Sequence, residues 1–142
     1  MSAKKNTALN HCLYFTCNTF SRLMTKMAEE EFRLTGLSPS HAFLLITVIE
    51  NEGVSPKELS SKLEIAPSTV TRFLDYLQNK KLIVRETEGK TSKIYSTSKG
   101  QELQETIKHC WKNLYSHYID KIGEVQSSKL VEQMNSAINK LT

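Results

Sequence analysis

Three prolines, the only ones in the 142-residue chain, constrain its fold more than any other feature of the sequence. Proline has no backbone N–H and its ring fixes φ near the helical value, so it is tolerated in the first turn of a helix and disfavoured in the interior. Ser38 and Ser55 precede two of the prolines, and serine is a preferred N-cap residue. The sequence therefore predicts three successive helices that begin at Pro39, Pro56 and Pro67.

Apolar residues recur at helical spacing around the first of these starts. We predict a first helix over residues 7–35, ended by Gly36. A second helix begins at Pro39 and stops at residues 51–53. Because this second helix is apolar nearly all round, we expect it to lie at the centre of the domain.

The next two helices are short and are separated by a turn of three residues. Helix three, about residues 56–63, begins with a predicted capping box in which Ser55 bonds forward and Glu58 bonds back. Helix four covers about residues 67–80. Its predicted inward face is apolar and consists of Val70, Phe73, Leu74 and Leu77. Its predicted outward face is polar and consists of Ser68, Thr69, Thr71, Arg72, Asp75 and Tyr76.

A small hairpin follows helix four. The apolar segment 82–84 and the alternating segment 92–96 predict two strands, with a tip over residues 86–91. Helices five and six are predicted over residues 101–122 and 127–141. The fold class is therefore mainly α with a small β-hairpin wing, a winged helix-turn-helix flanked by long N- and C-terminal helices.

The polar front of helix four suits the major groove of DNA. Small hydroxyl side chains allow close approach of the backbone, and the positive end of the helix favours phosphate. Arg72, one turn into the helix, has the forked guanidinium that pairs with guanine. An ordinary amphipathic helix with a solvated polar face would show the same pattern. The expected DNA contacts are Ser55, Pro67, Ser68, Thr69, Thr71, Arg72, Tyr76, Arg85, Lys90 and Lys93.

The motifs of this region resemble those of the MarR family of bacterial regulators. They are Leu37-Ser38-Pro39, Lys57-Glu58-Leu59, Pro67-Ser68-Thr69-Val70-Thr71-Arg72, Leu82-Ile83 and Thr97-Ser98-Lys99-Gly100. The resemblance covers nearly the whole chain. It implies a DNA-binding domain over residues 37–100 between dimerisation helices at 1–36 and 101–142. It further implies a homodimeric transcriptional regulator, usually a repressor, on a pseudo-palindromic operator in double-stranded DNA.

The wing departs from the family at one point. The family often has Asp-x-Arg near the wing tip, and the matching positions here are Glu88-Gly89-Lys90. The signs of the charges are kept, but lysine lacks the fork of arginine and is more strongly hydrated. Contact of Lys90 with the DNA backbone is therefore expected, whereas minor-groove recognition by this residue is in doubt.

The long flanking helices have apolar stripes that a winged domain of about 60 residues cannot cover. Exposed, they would form an aggregation-prone surface, and pairing with a second copy would cover them. Such a pair also supplies the two-fold symmetry that a palindromic operator needs. The alternative is that the same helices pack against each other within one chain.

The resemblance to the MarR family implies two kinds of signal for such a regulator. A small lipophilic effector would fit a crevice lined by Tyr14, Phe15, His41 and Phe43, and the alternative is peroxide or thiol sensing through Cys12. Aromatic residues at this spacing also occur in ordinary cores. A zinc site formed by His11-Cys12 and His109-Cys110 lacks any short-spaced ligand motif. No cofactor or metal is therefore predicted.

Composition limits the remaining function classes. The formal charge of +4 permits a polyanionic partner without requiring one. No apolar run approaches the ~18 residues of a membrane span, and three cysteines without a paired motif suit a reducing compartment, so a cytoplasmic protein is expected. The sequence contains no nucleophile motif, phosphate loop or zinc signature, so an enzyme is not expected. A protein-interaction module would instead have an apolar outer face on helix four.

Overall fold

The computed structural model describes residues 7–142 and contains seven α-helices and one β-hairpin over that range. The helices are α1 Leu13–Glu31, α2 Pro39–Glu50, α3 Pro56–Leu63, α4 Pro67–Asn79, α5 Ser98–Gln101, α6 Gln104–Ile122 and α7 Glu124–Leu141. The strands are β1 Ile83–Glu88 and β2 Thr91–Ser96. The predicted fold class, mainly helical with a small hairpin wing, is confirmed.

The three prolines begin helices as predicted, and the bounds of α3 match the prediction. The hydroxyl of Ser38 accepts the backbone N–H of His41 at 3.2 Å, and that of Ser55 accepts the N–H of Glu58 at 3.1 Å. The predicted capping box at Ser55 is only half formed, because the Glu58 carboxylate accepts the Ser55 hydroxyl and not its backbone N–H. Local hydroxyl caps therefore fix where α2 and α3 start.

The prediction of a continuous first helix was wrong. A 3₁₀ turn, Ala8–His11, precedes α1, and Cys12 between them is extended, with φ −90° and ψ 118°. The backbone N–H and the hydroxyl of Thr7 both bond to the side-chain oxygen of Asn10, which offers this segment an alternative to the helix. At its other end α1 passes into a second 3₁₀ turn, Phe32–Thr35.

The prediction of helices five and six was also inaccurate. The predicted helix over 101–122 is divided into the short α5 and the long α6, and α7 begins at Glu124, directly after Gly123. Thr97 caps α5 by accepting the N–H of Gly100 at 3.1 Å, and its hydroxyl donates to the carbonyl of Lys81 at 2.7 Å. These bonds attach the start of α5 to the segment that leads into the wing.

The core lies around α2, whose Leu44, Leu45 and Val48 are fully buried. Helix α1 contributes Ala28 to this core, and α6 contributes Ile107, Cys110 and Leu114. Between residues 7 and 142, no single helix is long and apolar enough to cross a membrane. The pair Leu13–Thr35 and Pro39–Glu50 meets that test only jointly, with a bend of 58°.

The hairpin strands are longer than predicted. They pair antiparallel from Ile83 opposite Ser96 to Glu88 opposite Thr91, so the turn is confined to Gly89 and Lys90. Glu86 lies opposite Lys93, and such opposite charges favour cross-strand pairing. A short bridge between Val54 and Ile94 attaches the hairpin to the segment before α3.

Candidate nucleic-acid interface

Helix α4, which we call the recognition helix, has two chemically distinct faces. Val70, Leu74 and Leu77 are buried and fix the helix to the core. Ser68, Thr71 and Arg72 are exposed, and Thr69 is half-buried. The helix therefore presents its polar first turns to solvent, as a helix that enters the major groove must do.

The polar groups on this face form only local bonds. The Thr71 hydroxyl donates to the carbonyl of Pro67 at 3.1 Å, and the Arg72 guanidinium donates to the Thr69 hydroxyl at 3.4 Å. A guanidinium has five N–H donors, so this one long bond leaves Arg72 with several donors for a base edge or a phosphate.

The turn between α3 and the recognition helix is held by one side chain. The Ser60 hydroxyl donates to the carbonyl of Ile65 at 2.6 Å, and Glu64 adopts a left-handed conformation with φ 54°. Ser55, another predicted DNA contact, is the half-buried N-cap of α3, and Pro67 is exposed at the start of the recognition helix.

The structure places Tyr76 away from the face on which we expected it. Its ring stacks on that of His41 with centroids 4.1 Å apart, and it packs against the hydrophobic core. The Lys80 ammonium lies 5.3 Å from the centroid of the same ring. The expected outward position of Tyr76 is therefore corrected, because ring stacking against α2 draws it inward.

His41 connects the start of α2 to the inner side of the recognition helix. Besides stacking on Tyr76, its ring meets that of Phe73 edge-on at 4.6 Å, and its Nδ1 lies 2.9 Å from the Ser38 hydroxyl. Burial, and then the nearby Lys80 ammonium, lower the pKa of His41. The ring is therefore neutral at neutral pH and serves as a packing group between the two helices.

The basic residues of the wing occupy different environments. Lys90 is exposed at the tip, and Lys93 is exposed opposite Glu86. Arg85 instead turns back to the recognition helix, where it bonds to Asp75 and Gln78. Sequence reasoning missed Asp75 and Gln78 as partners. The available signal was the strand alternation that places Arg85 on the same side as buried Ile83.

The four aromatic residues proposed to line an effector crevice do not lie together in the described chain. Tyr14 is 79% exposed, and Phe15 lines a surface cavity of about 120 Å³ on α1. Phe43 lines a separate cavity of about 330 Å³ with Met24 and Ala28 of α1 and Leu114 of α6. His41 is packed against the recognition helix. Only Phe43 therefore faces a cavity between the N-terminal helix and the winged domain.

The three cysteines differ in environment. Cys12, the N-cap of α1, and Cys17 are exposed, whereas Cys110 is buried. Burial, and then the carboxylate of Glu31, raise the pKa of the Cys110 thiol, which keeps it protonated. Among the described residues, no group of three or more His, Cys, Asp or Glu side chains could hold a metal ion. The side chain of His109 is bonded to Asn113 at 3.1 Å.

Comparisons of the sequence with known proteins agree on one family. The sequence profile of the MarR family matches residues 35–93. The HTH-type transcriptional regulator SarZ of Staphylococcus epidermidis is 20% identical over 139 residues, which cover 96% of this chain and 93% of SarZ.

Several solved structures share the fold, and two of them serve as examples. The first is a Staphylococcus aureus MepR–DNA complex, with TM-score 0.80, 16% identity and coverage of 92% of this chain and 98% of that one. The second is CouR of Rhodococcus jostii RHA1 bound to p-coumaroyl-CoA, with TM-score 0.75, 20% identity and coverage of 96% and 95%.

Proposed function

Through its segment 35–93 this chain belongs to the MarR family of transcriptional regulators, and from that premise we propose that it binds an operator in double-stranded DNA as a homodimer. The observation that carries the proposal is the two-faced recognition helix. Its apolar side is fixed in the core, and its exposed side presents Ser68, Thr71 and Arg72. An apolar exposed side would instead have favoured a protein-interaction module.

The recognition helix supplies the base contacts in this proposal. Ser68 and Thr69 stand in its first turn, where N–H groups and the helix dipole attract phosphate. Arg72 lies far enough along the exposed face to donate two hydrogen bonds to a guanine edge. Lys90 and Lys93 of the wing contact the DNA backbone as point charges, which adds affinity without base preference.

The proposed dimer accounts for large apolar side chains that one protomer leaves exposed. They lie on the flanking helices and include Leu13, Leu23, Trp111, Tyr115, Val131, Met134 and Ile138. Large exposed apolar patches are uncommon on monomeric proteins, so side chains of this kind favour a partner that covers them. A two-fold pair would bury these helices and would place two recognition helices on successive turns of the duplex.

Selection of bound duplexes from a random DNA pool tests the proposed function. We expect enrichment of an inverted repeat whose half-site centres are about 10 base pairs, or a multiple, apart. The retained pool should bind more weakly as salt increases, because phosphate contacts release counterions. Recovery of no common sequence after repeated rounds would contradict the proposal and favour a protein partner.

The Phe43 cavity supports the effector part of the proposal. Met24, Ala28 and Leu114 form its apolar lining. Ser38 also lines it and bonds to His41, which packs against the inner side of the recognition helix. CouR, which shares this fold, has been solved with p-coumaroyl-CoA. We propose that a small lipophilic effector occupies this cavity, in preference to thiol sensing through Cys12.

A cavity-filling substitution tests the effector site. We expect a small phenolic acid such as p-coumaric acid to release operator DNA from the native protein but not from Met24→Trp, in which the larger ring fills the cavity. Both proteins should bind operator equally well without the compound. Equal release from both, measured by fluorescence anisotropy, would exclude this cavity.

A further inference from the structure

Arg85 joins the wing to the recognition helix. Its Nε donates to the side-chain oxygen of Gln78 at 2.6 Å, and its terminal nitrogen pairs with the carboxylate of Asp75. Asp75 and Gln78 are three residues apart and therefore share one face of the helix. Within residues 7–142, no other side-chain hydrogen bond connects α4 to the hairpin.

The position of Arg85 in β1 explains why it turns inward. Side chains alternate along a strand, so Ile83 and Arg85 lie on one side and Val84 lies on the other. Ile83 is fully buried, whereas Val84 is 43% exposed. Arg85 thus lies on the inward face of the strand, at the edge of the apolar core, and its side chain is 26% exposed.

The outer part of the wing lacks comparable support. Residues 86–91 are all exposed, and the last buried side chain of the hairpin is Ile94, which lies opposite Arg85. The bonds of Arg85 are therefore the outermost attachment between the wing and the recognition helix. A change there would alter the angle of the whole tip, including Lys90.

We infer that Arg85 is a positioning residue, which fixes the wing at the angle at which tip and recognition helix meet one duplex together. The inference rests on the proposed function and replaces the DNA contact expected for Arg85 from the sequence. Its charge is already neutralised by Asp75, so it offers little to a phosphate. Two binding elements held at the right angle bind more tightly than two that move independently, because less freedom is lost on binding.

Four variants and one reference separate positioning from direct DNA binding. Arg85→Lys keeps the charge without the fork, Arg85→Met removes both, Asp75→Asn removes the partner, and the fourth variant combines Arg85→Met with Asp75→Asn. Lys90→Met is the reference for removal of a phosphate-binding charge. We expect Arg85→Lys and Arg85→Met each to weaken operator binding about tenfold, the scale of coupling between neighbouring side chains that interact. The salt slope, which is the slope of the log binding constant against the log salt concentration, should stay unchanged. The double variant should bind no more weakly than Arg85→Met.

Lys90→Met should instead reduce the salt slope by about 0.9 for each phosphate that is no longer neutralised. The inference is overturned if Arg85→Lys binds like the native protein while Arg85→Met reduces the slope as Lys90→Met does. The Arg85–Asp75 pair is partly exposed, so thermal unfolding should change little.

Amide hydrogen exchange without DNA gives a second readout that does not depend on the proposed function. In Arg85→Met the amides of residues 84–93 should exchange faster than in the native protein, and in Lys90→Met they should not. Unchanged exchange in Arg85→Met would refute the positioning role even if no operator were found. Absence of any preferred DNA sequence, with faster exchange in Arg85→Met, would refute the proposed function alone.

Discussion

Replacement of Gly100 by alanine is expected to destabilise the protein by about 3 kcal/mol, within the range that overpacking of a tight site produces. A Cβ atom at this position would lie 2.2 Å from the carbonyl oxygen of Leu82 and 3.4 Å from a methyl group of Leu45. The oxygen belongs to the backbone and already accepts the N–H of Thr97 at 3.0 Å, so it cannot move aside freely. A loss of stability would be informative, because helix propensity alone favours alanine over glycine by about 1 kcal/mol.

Urea unfolding at a fixed protomer concentration measures this effect. Gly36→Ala is the matched control, since Gly36 has φ +71° but nothing lies within 4 Å of an added Cβ. We expect the control to cost only about 1–2 kcal/mol, the strain of a left-handed alanine. Gly100→Ala at or above native stability would show that α5 does not approach Leu82 as closely as described.

Replacement of both Val131 and Ile138, on the apolar face of α7, by glutamate is expected to convert the dimer to monomers and to weaken operator binding at least 100-fold. Val131 is 54% and Ile138 42% exposed in the protomer, and the proposed dimer would bury both. An unpaired carboxylate in such an interface costs several kcal/mol. One protomer can then occupy only one half-site, which removes the gain of binding two sites together.

Sedimentation equilibrium of the Val131→Glu, Ile138→Glu variant gives its mass, and circular dichroism tests whether the protomer stays folded. Gln133→Glu adds a charge to the opposite side of the same helix and should remain dimeric. A double variant that stays dimeric, with native operator affinity, would rule out α7 as part of the interface.

The sequence was most informative where local chemistry decides the structure. The caps Ser38 and Ser55 and the prolines after them act within one helical turn, so their helices start where predicted. The burial of Val70, Leu74 and Leu77 also follows from spacing alone. The capping box at Ser55 shows the limit, because which atom Glu58 bonds depends on side-chain geometry that spacing does not specify.

Contacts between distant segments could not be predicted. Tyr76 was expected to face outward with its polar neighbours, but its orientation depends on a ring 35 positions earlier, His41. Arg85 is a basic wing residue like Lys90, but it lies on the inward face of β1 and pairs with Asp75 of a distant helix. The break at Cys12 depends on the bonds from Thr7 to the Asn10 side chain, which compete with a helix that the apolar pattern favours.

The exposed face of the recognition helix is the centre of this account, and Arg72 tests it most directly. Arg22 provides a matched control, since it donates to Thr19 at 3.3 Å as Arg72 donates to Thr69 at 3.4 Å, each three residues earlier on a helix. The measurement is an anisotropy titration of both alanine variants on the selected operator and on single-base substitutions of it. We predict that Arg72→Ala loses about 1–3 kcal/mol of binding free energy and its preference at one base of each half-site, whereas Arg22→Ala binds like the native protein. Native affinity and native base preference in Arg72→Ala would contradict the account.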